Sequence, residues 1–253
     1  MLDGLYGRPD IYNQVYDRFT EDIAFYTDLG RRADGPVCEL ACGSGRVTVP
    51  MALAGLTVHG VDLSAEMLAA AVRRARDAGI TVGEPAGDSA GSLGFSQGDM
   101  RDPLGDDRFG LITIPLHSLS HLHDTSDVMA CLRGVRRSLK KGGRLAFAVH
   151  NPDPAVLARD SSGLIRIHPE LSSAALYESS RYDAARQLLH LSWFVETMKN
   201  TERFSYTLRM FFPQEMVMLL ECSGLVLEHR YGWYDRNDFT ADSGSQVIVA
   251  RRW

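Results

Sequence analysis

The sequence contains no run of 18 or more consecutive apolar residues, so no segment reads as a membrane span and no membrane partner is expected. Its first residues, MLDGLYGRPDIYNQVYDRF, bring acids early and lack the apolar stretch of a signal peptide. Cysteine is scarce. Cys38, Cys42, Cys131 and Cys222 show no paired metal-ligand spacing, so buried, reduced thiols in a cytoplasmic protein are expected, and no metal. A concentrated basic face is also missing. The formal net charge is −5, and the two dense basic runs (Arg73, Arg74, Arg76, then Arg133, Arg136, Arg137, Lys140, Lys141) fall on expected helices as solvated faces. Affinity for nucleic acid rests largely on neutralising phosphates, so a nucleic-acid partner is not expected.

What remains is ordinary globular composition, and 253 residues suffice to bury the core of one α/β domain. Strands are expected at Val37–Ala41, Leu56–Val61, Gly94–Gln97, Phe109–Pro115 and Arg144–Val149. Helices are expected between them at Arg46–Ala54, Ala65–Asp77 and Asp127–Lys140. That alternation predicts a Rossmann-like, seven-stranded, mostly parallel sheet with helices on both faces. Ser64 reads as an N-cap. Val128, Leu132, Val135 and Leu139 recur at helical spacing, with Gly142 as the expected stop. Residues 79–93 read as a surface loop.

After Asn151 the pattern changes to period-two segments at Leu164–His168, Ala175–Tyr182, Leu188–Thr197 and Phe204–Phe212, with a hairpin turn at Asp183–Arg186. These predict an antiparallel insert. Pro213 opens a last helix that Gly224 closes, and Leu225–His229 and Gln246–Ala250 complete the sheet. The expected organisation is one domain over residues 1–253: an N-terminal lid helix (1–35), a core (36–150), the insert (151–212) and the final helix and strands (213–253). Ile11, Val15, Phe19, Ile23 and Tyr26 give the N-terminal segment an apolar helical face. It is either a helix packed on the sheet edge or a lid over a ligand.

Three strand ends carry suitable groups for a ligand. Glu39-Leu40-Ala41-Cys42-Gly43-Ser44-Gly45-Arg46 joins the first strand to a helix, and the glycines allow a sharp turn and close backbone approach. The following helix start offers free N–H groups to a carboxylate or phosphate. Against a dinucleotide, the third glycine position holds Thr48 and an acid, Glu39, sits inside the strand end. Asp62, 17 residues past Gly45, stands where a carboxylate can accept both hydroxyls of a ribose. Alone it reads equally as a helix-start acid. Asp99 and Met100, after the third strand, suit an exocyclic amine and a purine face.

In order, ELACGSGR, GVDLSAEML, GDMRD and FGLITIPLHSLSHL resemble successive motifs of class I S-adenosylmethionine-dependent methyltransferases, across residues 10–150. Ala41 departs from the glycine usual at its position. The resemblance implies S-adenosylmethionine as cofactor, S-adenosylhomocysteine as product and a small-molecule methyl acceptor as partner, in a chain compatible with a homo-oligomer. It implies that Glu39, Ala41, Gly43 and Gly45 border the methionine part, and that Arg46 holds the helix start or the carboxylate. Asp62 would bind ribose, Leu63, Met67, Asp99 and Met100 the adenine, and Leu116 would shape the methyl-transfer face.

Methyl transfer is an in-line displacement, in which alignment supplies about 7–11 kcal/mol. A neutral amine acceptor needs no strong base, whereas a hydroxyl or carbon acceptor more often does. The candidates follow the fourth strand. His121 is the first choice, and the SxxHL run that contains it resembles small-molecule N-methyltransferases of aminosugar and glycine/sarcosine types. His117 stands where relatives often carry Asn. His150 and Asn151 end the fifth strand and are expected to line the same cleft. The resemblance extends to IYNQVYDRF, which implies a lid containing Tyr12 and Tyr16, with Tyr6 and Tyr26 as weaker candidates. The expected function is N-methylation of an aminosugar, amino acid or natural-product intermediate. The alternatives are O- or C-methylation on the same scaffold and a cofactor-binding relative that no longer methylates.

Overall fold

The computed structural model describes residues 4–83, 92–102, 104–158, 161–168, 174–197 and 200–253. Residues 84–91 of the expected surface loop lie outside the described residues. A 3-10 turn (Leu5–Gly7) precedes α1 (Pro9–Tyr16) and α2 (Glu21–Arg31). The core then alternates as β1 (Val37–Leu40), α3 (Thr48–Leu53), β2 (Val58–Asp62), α4 (Ala65–Asp77), β3 (Leu93–Gln97), β4 (Phe109–Ile114), α5 (Thr125–Ser138) and β5 (Leu139–His150). A short helix, α6 (Pro154–Leu157), leads to β6 (Ser161–His168), β7 (Ala174–Asp183), β8 (Leu188–Thr197) and β9 (Thr201–Arg209). Then α7 (Pro213–Cys222), β10 (Leu225–Tyr231) and β11 (Ser245–Arg252) complete the chain.

Seven strands form a Rossmann-like sheet in the order β10-β11-β5-β4-β1-β2-β3. The pairs among β1 to β5 are parallel, and β11 runs antiparallel to both β5 and β10. The second sheet, β6-β7-β8-β9, is wholly antiparallel. Helices cover both faces of the large sheet, which is why β4 is buried at all six positions. One face packs Ile112, Ile114, Leu145 and Phe147 against Val128, Leu132 and Val135 of α5 and Met216 and Leu220 of α7. The other packs Val37, Leu111, Ala146 and Val247 against Phe25 and Tyr26 of α2 and Met51 of α3. Strand order reverses between β1 and β4, and open α/β sheets bind ligands at that switch, beyond the carboxyl ends of the strands.

Ser64 caps α4 as expected, its hydroxyl accepting from the Met67 N–H at 3.1 Å. Three expectations need correction. The helix α5 ends at Ser138, because Leu139 turns extended to begin β5 beside Phe109. Gly142 (φ 78°) therefore lies within β5, near a register shift, and is not a helix stop. The N-terminal apolar face is shared by two helices. Ile11 and Val15 of α1 pack with the insert, whereas Phe25 and Tyr26 of α2 pack under the large sheet. Cys38, Cys42 and Cys131 are buried, but Cys222, in the last turn of α7, is exposed.

Candidate active site

The loop after β1 bends through Ala41 (φ 53°), Gly43 (φ 54°) and Gly45 (φ 79°). The two glycines do different work. A Cβ on Gly43 would meet nothing within 4 Å, so that position looks into open space. A Cβ on Gly45 would come within 3.2 Å of Ala71 on α4 and Val49 on α3, so that glycine permits helix packing. Asp62, at the end of β2, fastens the loop. Its Oδ2 accepts from the Gly43 N–H and its Oδ1 from the Ser64 N–H, each at 2.8 Å. Burial raises the Asp62 carboxyl from its ordinary value, and these N–H donors oppose the rise. Glu39 is buried beneath the loop, where Thr48 Oγ1 donates to it at 2.5 Å; burial still pushes it up to about 8.

The N-terminal segment covers this loop. Ser44 Oγ bonds Asn13 Oδ1 at 2.6 Å, and Arg74 of α4 reaches Asp17 at 2.7 Å. Arg46 does not face the ligand space; its guanidinium pairs bidentately with Asp22 of α2 and donates to the Phe19 carbonyl. Ser64 Oγ donates to the Tyr6 carbonyl at 2.8 Å, which ties the 3-10 turn to the start of α4. On its other side α1 meets the insert: Tyr16 stacks on Trp193, and Leu5, Ile11 and Val15 join Leu176, Val195 and Phe204.

Beyond β4 the backbone is unusual. Leu116 (φ 50°) and His117 (φ 59°) are both left-handed, which is rare for two consecutive non-glycine residues. They lead into a 3-10 turn, Ser118–His121. His121 Nε2 bonds the Tyr6 hydroxyl at 2.7 Å, with the two rings edge to face. Burial lowers His121 to about 4, with His123 adding to the effect, and burial raises Tyr6 well above the usual phenol value. The pair is therefore uncharged at neutral pH. His117 turns away and stacks on His150 with centroids 3.8 Å apart. Burial lowers both histidines, His150 to about 4. Asn151 donates its amide to the Ser243 carbonyl at 2.8 Å.

These elements enclose a cavity of about 470 Å3, within the range of ligand pockets. It runs from the glycine loop and Asp62 past Asp99 and Met100 to Tyr6, His121 and the β9 residues Ser205, Tyr206 and Thr207.

Residues 38–147 match the family model of a methyltransferase domain. The putative methyltransferase YqeM of Bacillus subtilis is 31% identical over 151 residues, covering 57% of this chain and 55% of its own length. The chain spans about half the length of such curated relatives at 31 and 32% identity. The CcbJ methyltransferase from Streptomyces caelestis superposes with a TM-score of 0.80 at 27% identity, covering 94% of this chain and 96% of that one. The cypemycin N-terminal methyltransferase of a Streptomyces species is 25% identical, covering 88% of this chain and 85% of its own. This is the class I S-adenosylmethionine-dependent methyltransferase fold. The chain shares that fold, and over residues 38–147 its sequence is similar to a methyltransferase domain. The similar proteins include a sugar N-methyltransferase, a glycopeptide N-methyltransferase and a ubiquinone biosynthesis O-methyltransferase.

Of the residues singled out from sequence, Tyr12, Tyr16, Ala41, Gly43, Asp62, Leu63, Met67, Asp99, Met100, Leu116 and His121 line the cavity. Glu39, Gly45, Arg46, His117, His150 and Asn151 do not; they stand behind its walls with the partners given above. The structure adds Leu5, Arg101 and the β9 row, and it brings Tyr6 to the front. Tyr206 reaches the cavity because β9 is the strand of the insert that faces His121. Among the described residues no group of three or more His, Cys, Asp and Glu is arranged to hold a metal ion, and no helix is long and apolar enough to cross a membrane.

Proposed function

We propose that this chain transfers the methyl group of S-adenosylmethionine to an amine nitrogen of a small molecule. The residues present fit that cofactor. Gly43 looks into open cavity, and Asp62, held on both oxygens by backbone N–H groups, keeps lone pairs free for ribose hydroxyls. Leu63, 48% exposed at the cavity wall, would pack on the adenine with Met67 and Met100, and Asp99 would accept at its edge. Ala41 and the glycine-loop N–H groups would border the methionine end. Tyr12 and Tyr16 would close over it from α1. When bound, the cofactor supplies an electrophilic methyl on a sulfonium.

The observation that carries nitrogen over oxygen is the Tyr6–His121 pair. His121 is held neutral with its Nε2 already bonded to Tyr6, and its value near 4 makes it a weak base. Such a group does little to ionise a hydroxyl, but it orients a neutral amine well. The acceptor N–H donates to the Tyr6 oxygen while Tyr6 donates to His121. So held, the nitrogen lone pair would be directed at the methyl that the bound cofactor supplies, and such alignment can account for about 7–11 kcal/mol of the barrier. Transfer would leave the amine as a methylated ammonium and the cofactor as its neutral thioether, and the ammonium proton would pass to water. Leu116 and Leu122 shield the reacting centre. His117, His150 and Asn151 brace the ends of β4 and β5 and would act on the acceptor through that bracing.

Incubation with methyl-13C-labelled S-adenosylmethionine and a panel of amines, phenols and activated carbon acids tests the reading. Proton–carbon correlation spectra are expected to show N-methyl signals. Labelled phenols without labelled amines would point to the O-methyl alternative. Cofactor binding without turnover of any acceptor would point to a relative that no longer methylates.

A further inference from the structure

The fixed charge of the cavity is unevenly placed. Arg101 is the only lysine or arginine among the described lining residues. Both of its faces are taken, with Nε and Nη2 on Asp99 at 3.0 and 2.6 Å and Nη1 on Asp127 at 2.9 Å. These three groups form one network beside the β3 end. Asp62 is the other charged lining group, and it belongs to the cofactor under the reading above.

The acceptor end is different. Tyr6, Tyr206 and His121 converge there, offering phenol hydroxyls, an imidazole and ring faces, whereas the side chains of Ser205 and Thr207 lie on the opposite face of β9 from Tyr206. Ser205 Oγ pairs with Ser192 Oγ at 3.0 Å and Thr207 Oγ1 with His190 Nδ1 at 3.0 Å. The cations nearby in the chain are engaged elsewhere. Arg8 pairs with Asp10 and Glu202. Arg203 donates to Ser192 and lies over Phe194. Arg209 is buried on Glu215 at 2.6 Å, with Thr125 Oγ1 and the His123 carbonyl. The titratable group behind the wall is acidic: Glu178 accepts from Trp193 Nε1 at 2.8 Å, and burial raises its carboxyl from the ordinary value.

A carboxylate brought into this end would lose its water, find no free lysine or arginine among the described lining residues, and face Glu178. A hydroxyl, amide or ester would instead find partners in kind. We infer that the acceptor presents its amine without a carboxylate beside it: a neutral, hydroxyl- or amide-bearing amine, and not a free amino acid. This rests on the methyl-transfer reading and narrows its acceptor class.

The test uses the unmodified protein and acceptor pairs that differ in the charge beside the amine, each compared at equal concentration of the free-base amine. Each pair sets a free amino acid against its amide, or an amino uronic acid against the corresponding aminosugar methyl glycoside. Release of S-adenosylhomocysteine gives kcat/KM for each member. The uncharged member is expected to be favoured by about 100-fold or more, the factor that follows from burying a charge without a partner. An acid turned over as well as its uncharged partner overturns this inference and leaves methyl transfer standing. No turnover in any pair, with cofactor uptake seen by calorimetry, overturns amine methylation and this inference with it.

Discussion

Arg46 grips Asp22 through two hydrogen bonds, at 2.7 and 2.6 Å, where the two side chains are 6% and 0% exposed. The pair fastens α2 to the helix that follows the glycine loop, and the Arg46 guanidinium also lies over the Phe19 ring. Removing one partner leaves a buried charge alone, which costs about 3–5 kcal/mol, whereas replacing both by apolar groups costs far less. Arg46→Met is therefore expected to lower stability by about that amount in urea unfolding. The double variant with Asp22→Leu should recover most of the loss. If the single variant unfolds like the parent protein, the pair contributes nothing to holding the lid.

Ala41 holds a backbone conformation that favours glycine, at φ 53°. A side chain there costs on the order of 1 kcal/mol relative to glycine. Ala41→Gly should raise stability by roughly that amount, read as a higher urea midpoint at unchanged slope. A fall in the midpoint would show that the loop is relaxed as it stands.

Much of this was legible from residue types at strand ends. Glycines between a strand and a helix, an acid at the next strand tip and another after the third place a cavity without knowledge of any long-range contact. Ser64 was legible because an N-cap is a local device. The Tyr6–His121 bond was not, since it joins residues 115 apart and no pattern near either announces it. Nor was the break between α1 and α2, because residues 17–20 contain neither Gly nor Pro and the apolar spacing runs across them. Gly45 could be seen to be special, but its crowding by Ala71 and Val49 depends on two helices meeting. Tyr206 was obscured for a related reason: alternation shows two faces of β9, and only the docking of the insert decides which one meets His121.

Asp62 carries the loop and, under the proposal, the ribose. Asn offers one acceptor oxygen where two are used, and sets its NH2 against a backbone N–H. Hydrogen bonds to a charged group are worth about 1.5–3 kcal/mol, so Asp62→Asn should weaken S-adenosylmethionine binding by roughly 10- to 100-fold. Isothermal calorimetry measures this directly, and equal affinity in both proteins would remove Asp62 from the cofactor site.

Stability should depend on pH from two sides. Burial pushes the Glu39 carboxyl up to about 8 from its ordinary 4.5, so the folded protein holds a proton that the unfolded chain releases. That contribution is full below pH 4.5 and is lost as pH rises through 8. His121 and His150 sit near 4 against an ordinary 6.5, so their contribution is full above 6.5 and is lost as pH falls toward 4. Unfolding midpoints are expected to peak between these limbs. Glu39→Gln should flatten the alkaline limb and leave the acid limb in place. An unchanged alkaline limb in that variant would assign the loss to another group.

The Tyr6–His121 pair gives the sharpest kinetic expectation. If His121 orients an amine through Tyr6, its titration near 4 lies outside the working range. The pH profile of kcat/KM should then rise with the acceptor's own amine pKa and shift when an acceptor of different basicity is used. A base acting on a hydroxyl would instead impose one fixed limb on every acceptor. Tyr6→Phe removes the 2.7 Å bond while keeping the ring, so kcat should fall by about 10- to 100-fold from lost alignment. Cofactor affinity should stay within about threefold, because the Tyr6 contact with Ser64 is made by its backbone carbonyl and survives the change. A profile limb common to all acceptors, or a Tyr6→Phe variant as fast as the parent, would show that the pair only packs the wall.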